Sequence, residues 1–295
     1  MFMETMRDIK RRISSVKNTK KITRAMKMVA AAKLQNSQKY ARDAKPFFTK
    51  TRKILSDVYK FSGIKDEHPL LKKSEGDKKL LIVISGDRGL CGAYNAKVIE
   101  EAENFMDEHP ETEIYALGAK ARDYFKRRDY DFIKEYEQID DYPSFYFARQ
   151  LTDEIIEIFK GTKFHQINVV YTHFESALTQ QVKNITLLPI DSDEIDKELS
   201  DKGEKASEEH VDYIYEPSAK EILDLLLPKY VNNTMYSILL ESKASEFGSR
   251  MTAMDNATEN ANEMIDDLTL EYNRARQASI TKEITEIVGG AEALK

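Results

Sequence analysis

KYVNNTMYSILLESKASEFGSRMTAMDNATENANEMIDDLTLEYNRARQASITKEITEIV, residues 229 to 288, decides the fold. These sixty residues hold no proline and one glycine, Gly248. A helix of that length runs about 90 Å, whereas a domain built from the intervening chain is only about 30 Å across. The helix is therefore expected to project well outside such a domain. Phe247, Met251, Met254, Ala261, Ile265, Leu268, Tyr272 and Ala275 are spaced by threes, fours and one seven, which makes a single stripe with a near-heptad period. The other faces are polar, so a partner helix must cover the stripe. Its small residues suit the close approach of one helix rather than a thick bundle.

Glycine placement divides the rest of the chain. Residues 1 to 62 have none, eight of the eleven glycines lie from Gly63 to Gly203, and Gly289 and Gly290 sit where the final helix is expected to stop. The order is helix, globular middle, helix, with segments 1–62, 63–216 and 217–295.

The first helix is expected over Arg7–Phe61. Ile9, Ile13, Val16, Met26, Val29, Phe47, Ile54 and Val58 keep a three-four rhythm, and Pro46 should kink or split it. Pro228 likewise marks the start of the last helix, or a kink in it.

From Arg7 to Lys53 there are sixteen basic residues against two acidic, while Ser218–Lys295 carries eight basic against thirteen acidic. Opposite signs favour pairing the two end helices. Since both leave the same middle segment, the pairing is expected to be antiparallel. The basic run reads either as a solvated face or as a surface for an acidic partner, protein or nucleic acid. A nucleic-acid reader would interleave aromatic groups with its charges, and only Tyr40, Phe47 and Phe48 occur between Arg7 and Lys53.

The middle alternates strand and helix. KLLIVIS (79–85), EIYAL (113–117), a short strand at Phe132 and Ile133, HQINVVY (165–171) and VKNITLLP (182–189) read as strands, the last an edge strand closed by its proline. Helices are expected over 95–108, 119–128 and 144–159. The fold class is α/β: a central Rossmann-like domain plus a long antiparallel two-helix coiled coil from the terminal segments. The turn SGDRGLCGAYN (85–95) places glycines at 86, 89 and 92, not in the spacing that cradles a pyrophosphate, and lacks the P-loop lysine and hydroxyl. It reads as a structural turn, with nucleotide binding the alternative.

Other chemistry is sparse. The five histidines have no metal-ligand spacing, Cys91 is alone, and no nucleophile-elbow motif occurs. The acidic run 191–209 reads as a solvated loop. No stretch of eighteen apolar residues exists to span a membrane, and the N-terminus lacks a signal-peptide core. No catalytic residue, cofactor or metal is expected.

NTKKITRAMKMVAAAKL, SGDRGLCGAYN, MTAMDNATENANEMI and YNRARQASITKEITEIVGGAEAL occur in that order. Together they resemble the γ subunit of the F-type rotary ATP synthase over nearly the whole chain. The resemblance implies a non-catalytic rotor shaft inside a ring of α and β subunits. Its globular part would rest on the ε subunit and the membrane-embedded c ring, with δ reached only through the complex. It also implies contacts with the ring: Met26 and Lys27 beside acidic β loops, Arg276, Gln277 and Thr281 bonding a β loop with Glu283 close by, and Arg250 coupled to the same region. The turns from Ile284 to Leu294 would rotate in an apolar bearing. The lone cysteine differs from the plant chloroplast form, which has a regulatory cysteine pair. A bacterial source is expected, with the protein peripheral on the cytoplasmic face of the plasma membrane.

Overall fold

The computed structural model describes residues 5–61, 68–72, 76–161, 163–191, 216 and 218–292. The greater part of the acidic run 191–209 lies outside these residues. Two compact units emerge: Met1–Ala30 with Arg250–Lys295, and Ala31–Ser249. Helix α1 (Met6–Phe61) and helix α5 (Ala219–Glu292) each contribute to both.

Within the unit Ala31–Ser249, five strands form one sheet: β1 (Lys78–Ile84), β2 (Glu113–Leu117), β3 (Phe132–Tyr136), β4 (Phe164–Phe174) and β5 (Gln180–Leu188). Their order is β3-β2-β1-β4-β5. The first four are parallel, and β5 closes the edge antiparallel to β4. Helices α2 (Tyr94–Glu108), α3 (Ala119–Lys126) and α4 (Phe145–Lys160) connect them. This is the expected open α/β sheet. A parallel strand must bury both faces, and β1 shows how. Leu81 and Val83 join Val98, Ala102, Ala121 and Phe125 of α2 and α3 in one core. Leu80, Ile82 and Ile84 face the other way, into a core shared with Leu151 and Ile155 of α4, Leu55 and Val58 of α1, and Leu227 and Val231 of α5.

Both end helices differ in detail from the sequence expectation. Pro46 does not split α1, which is continuous through it. The proline is exposed, so the Arg42 carbonyl that loses its amide partner lies on a solvated face. α5 starts ten residues before Lys229 and runs through Pro228. Its first turn carries an S-x-x-E pattern: Ser218 Oγ accepts from the Glu221 amide at 3.2 Å and donates to the Glu221 carboxylate at 3.2 Å. At the far end the helix passes Gly289 and Gly290 to Glu292. No group lies within 4 Å of a Cβ built on either glycine. A glycine in a helix interior costs only about 1 kcal/mol, which does not by itself end a long helix.

The buried stripe of α1 also differs. Val29, Phe47 and Ile54 are exposed, while Ala30, Leu34, Ser37, Thr51 and Leu55 are buried. The inward positions recur at steps of four and three from Ile9 through Thr23, Lys27 and Ala30, and on through Leu34, Ser37, Phe48 and Thr51 to Val58. Polar residues occupy several of these positions, so a search for apolar side chains alone selects the neighbouring face.

Candidate functional site: the helix pair and the capped sheet edge

In the unit Met1–Ala30 with Arg250–Lys295, the two helices close on each other. Thr23 Oγ1 lies 2.7 Å from Thr258 Oγ1, and Lys27 Nζ lies 2.5 Å from Asp255 Oδ1. Moving four residues forward on α1 moves three residues back on α5, so the pair is antiparallel. Met254, Ala261 and Leu268 are buried, with Met251, Ile265, Tyr272 and Ala275 half-buried between them. The stripe read from the sequence is therefore the seam. Ala261, with no side chain beyond Cβ, is buried within that seam.

The candidate contact residues fall in two groups. Met26 and Lys27 are half-buried at the edge of the seam, and Lys27 is paired with Asp255. Arg250 is half-buried and held by an interaction within the chain. Roughly 40 Å beyond Arg250 along α5, at 1.5 Å per residue, begins the second group: Arg276, Gln277, Thr281 and Glu283, all exposed. Of these, Glu283 accepts a hydrogen bond from Ser279 at 3.3 Å. Extending the register of Thr23–Thr258 and Lys27–Asp255 brings the start of α1 opposite Ala275. Past that residue nothing among the described residues covers α5.

That uncovered end is not uniformly polar. Ile280, Ile284, Ile287 and Val288 are 47–71% exposed. At about 100° per residue they share one sector of the helix with Arg276, Gln277, Thr281 and Glu283. The bare end of α5 thus carries a mixed apolar and hydrogen-bonding face that no other described element covers.

In the other unit, the glycine turn and α5 together close the carboxyl end of the sheet. In open α/β folds that edge is where ligands settle. Here the three leading amides of α3 are already engaged. Ala119 N–H donates to Asp87 Oδ1 at 3.0 Å, Lys120 N–H to the Gly86 carbonyl at 3.1 Å, and Ala121 N–H to Ser85 Oγ at 2.9 Å. Asn95 Oδ1 accepts from the Gly86 amide at 2.8 Å, and its amide nitrogen donates to the Arg88 carbonyl at 3.3 Å. A helix N-terminus binds an anion through free amides, and those of α3 are taken. The turn thus uses its own side chains and carbonyls to hold the start of α3, and Asn95 of α2 to hold itself.

α5 then lies across the ends of β1 and β4. Ser245 Oγ donates to the Thr172 carbonyl at 3.0 Å, and Glu241 pairs with His173 Nδ1 at 2.6 Å. Lys243 and Glu246 are buried, 3.4 Å apart. The cleft left beside them, about 620 Å³, is lined by the carboxylates of Asp87, Glu137, Asp140, Asp141 and Glu246 against the cations Arg88 and Lys243. Such a lining repels a phosphate. Lys33 of α1 pairs with Asp141 at the rim, and its ammonium sits 5.5 Å above the Phe247 ring. Sequence reading missed this capping role because it depends on which segment reaches the sheet edge. Among the described residues no cluster of side chains is arranged to hold a metal, and no helix is long and apolar enough to cross a membrane.

Comparison with known proteins places this architecture. The family model described as ATP synthase matches residues 5–294. The ATP synthase gamma chain of Halothermothrix orenii is 54% identical over 293 residues, covering 99% of this chain and all of the relative. The central stalk and c-ring structure of the Tetrahymena thermophila mitochondrial ATP synthase contains a chain with a TM-score of 0.59 at 26% identity, covering 80% of this chain and 99% of that one. A chain of the Euglena gracilis mitochondrial ATP synthase shares the fold with a TM-score of 0.69 at 20% identity, covering 98% of this chain and 94% of that one.

Proposed function

The chain belongs to the γ subunits of the F-type ATP synthase, the non-catalytic central-stalk component of that membrane-associated complex, and from this we propose how its parts divide the work. The terminal segments 1–62 and 217–295 act as a shaft inside a ring of α and β subunits. The segment 63–216 receives torque from the c ring and ε, and δ is reached only through the rest of the complex. The assembly stands on the cytoplasmic face of the plasma membrane and couples a proton or sodium gradient to ATP synthesis, or runs in reverse.

One observation carries this reading: the helix pair is closed by its own seam, and yet α5 continues past Ala275 with an uncovered face of isoleucines and polar groups. An exposed apolar stretch of this kind implies a surrounding partner. A shaft changes the affinity of a catalytic subunit only if it contacts the subunit's states differently, so its sides must differ. Here they do. α1 presents a dense basic face, and the mixed face of α5 lies on one sector only. Met26 and Lys27 then meet acidic loops of β at one level. Arg276, Gln277 and Thr281, with Glu283, bond a β loop at another, and Arg250 couples to that region.

The test is co-purification. Tagged chain expressed with its α and β subunits should bring them down in a complex with ATPase activity. The same chain ending at Ala275 should yield a complex in which hydrolysis no longer drives ion pumping. Full coupling in that variant would overturn the assigned contacts.

A further inference from the structure

The turn at residues 68–72, between α1 and β1, is drawn together by His68. Its carbonyl accepts from the amides of Leu71 and Lys72 at 3.0 and 3.3 Å, and its ring Nδ1 accepts from the Leu70 amide at 3.1 Å. Leu70 anchors the turn. Fully buried, it shares a core with Leu188 and Ile190 at the end of β5 and with Leu223 and Leu227 of α5. Its carbonyl accepts from the Ile190 amide at 2.8 Å. We propose that His68 is a proton-sensitive latch, which holds this turn against the start of α5 while its ring is neutral and releases it when the ring is protonated.

The geometry fixes the tautomer. A backbone N–H can only donate, so Nδ1 presents its lone pair and the ring hydrogen sits on Nε2. Nε2 lies 3.4 Å from Asp224 Oδ1. An imidazolium carries hydrogens on both nitrogens, and its Nδ1–H would meet the Leu70 N–H donor to donor. That amide belongs to a fully buried residue, so water replaces the lost acceptor only if the turn opens.

The charges around the ring act in the same direction. Among the described residues, Asp224 and Lys220 of α5 face it, as does Lys160 of α4, itself paired with Glu157 at 3.2 Å. Asp224 favours the cation, but its side chain is half-exposed and the attraction is screened. The His68 side chain is only 13% exposed, and charging it would place a desolvated cation beside two others. Burial holds its pKa below the ordinary histidine value of about 6.5; Asp224 opposes this and the two lysines add to it. The latch is therefore complete above about pH 6.5 and is lost as pH falls through the lower folded value. Because Leu70 shares its core with Leu223 and Leu227, release loosens the seat of the first turns of α5.

Long-range 1H–15N NMR of the full chain, labelled at histidine, reads the ring, and the resonance lost in His68→Gln assigns it. The Nε2–H tautomer is expected at neutral pH, with titration below about pH 6.5. Hydrogen exchange followed by mass spectrometry, corrected for the intrinsic pH dependence of exchange, reports the turn. Protection of the peptides holding Leu70 and Ile190 should fall by up to about tenfold per pH unit below the titration point. In His68→Gln it should stay level over that range. Lys220 and Asp224 are exposed, so their substitution tests the latch even if the change at His68 disturbs folding. Asp224→Asn should move the titration to lower pH, and Lys220→Gln to higher pH. An Nδ1–H tautomer, titration at or above about pH 6.5, or the same loss of protection in His68→Gln overturns the latch.

Discussion

Gly86, at the carboxyl end of β1, faces Glu246 of α5 so closely that a Cβ on the glycine would lie 3.2 Å from the glutamate carboxyl carbon. The same Cβ would lie 3.2 Å from Asn95 Oδ1. The helix thus seats against the edge where a nucleotide-binding relative of this fold would keep an open crevice. This contact, the Ser245–Thr172 hydrogen bond and the Glu241–His173 pair fasten α5 to the sheet.

Two glycine substitutions should separate soft from hard neighbours. Alanine at Gly86 meets the ends of two side chains, Glu246 and Asn95, each at 3.2 Å, and should cost about 1 kcal/mol. Alanine at Gly118 meets the Ser85 carbonyl oxygen at 2.2 Å, and the glycine holds φ at +101°. That substitution combines overpacking with backbone strain and should cost about 2–4 kcal/mol. Urea unfolding of the full chain checks both, and equal midpoints for the two variants would contradict the geometry.

Lys27 has two candidate partners, Asp255 in its own chain and an acidic group outside it. Lys27 and Asp255 are 39% and 42% exposed, so their pairing contributes at most about 1 kcal/mol. Lys27→Asp combined with Asp255→Lys keeps the internal pair and removes the outward cation from α1. Thermal stability should return close to wild type in the double variant while ion-driven ATP synthesis stays impaired. Recovery of synthesis together with stability would confine the lysine's role to the helix pair.

Ending the chain at Ala275 removes only helix that contacts no other described element. The melting temperature of the chain should therefore change little, by about 2 °C or less, because no buried apolar surface is lost. Coupled synthesis in membrane vesicles should fall steeply. A large loss of intrinsic stability would mean that this end is packed in the free chain.

Glu113 at the start of β2 predicts an acid-sensitive step. Burial would raise its carboxyl pKa, but hydrogen bonds from Lys163 and Lys78, each at 2.7 Å, outweigh burial and hold it below the ordinary glutamate value. A carboxyl lowered in the folded state contributes stability that is complete above its unfolded pKa, about 4.3, and is lost as pH falls through the lower folded value. Glu113→Gln should lower stability near neutral pH by about 1–3 kcal/mol and flatten the dependence in that acid range. Denaturation midpoints at a series of pH values report it, and an unchanged slope in the variant would rule out Glu113 as its source.

The seam of α5 was legible because its residues are apolar or small at near-heptad spacing on an otherwise polar helix. The inward face of α1 was not. Thr23, Lys27 and Ser37 occupy seam positions, and polar side chains there find partners only once the other helix is in place. The start of α5 was readable in principle from Ser218 and Glu221, yet Pro228 is the stronger local signal and points the wrong way. Of the candidate contact residues, the sequence showed none without the resemblance. Arg276, Gln277, Thr281 and Glu283 look like any solvated helix positions until the register shows where α1 stops covering them.

By itself, the sequence determined what local physics controls: two long helices, the alternation of strand and helix between them, opposite charge on the ends and a glycine turn without the pyrophosphate-cradling spacing. These follow from side-chain periodicity, backbone freedom and Coulomb sign, each set by neighbours within a few residues. Only the tertiary structure decided that α5 caps the sheet edge through Ser245 and Glu246, that Lys27 pairs with Asp255, and that the last turns of α5 stand bare. Those outcomes depend on groups more than seventy residues apart meeting in space, and no local pattern encodes which distant side chain will arrive.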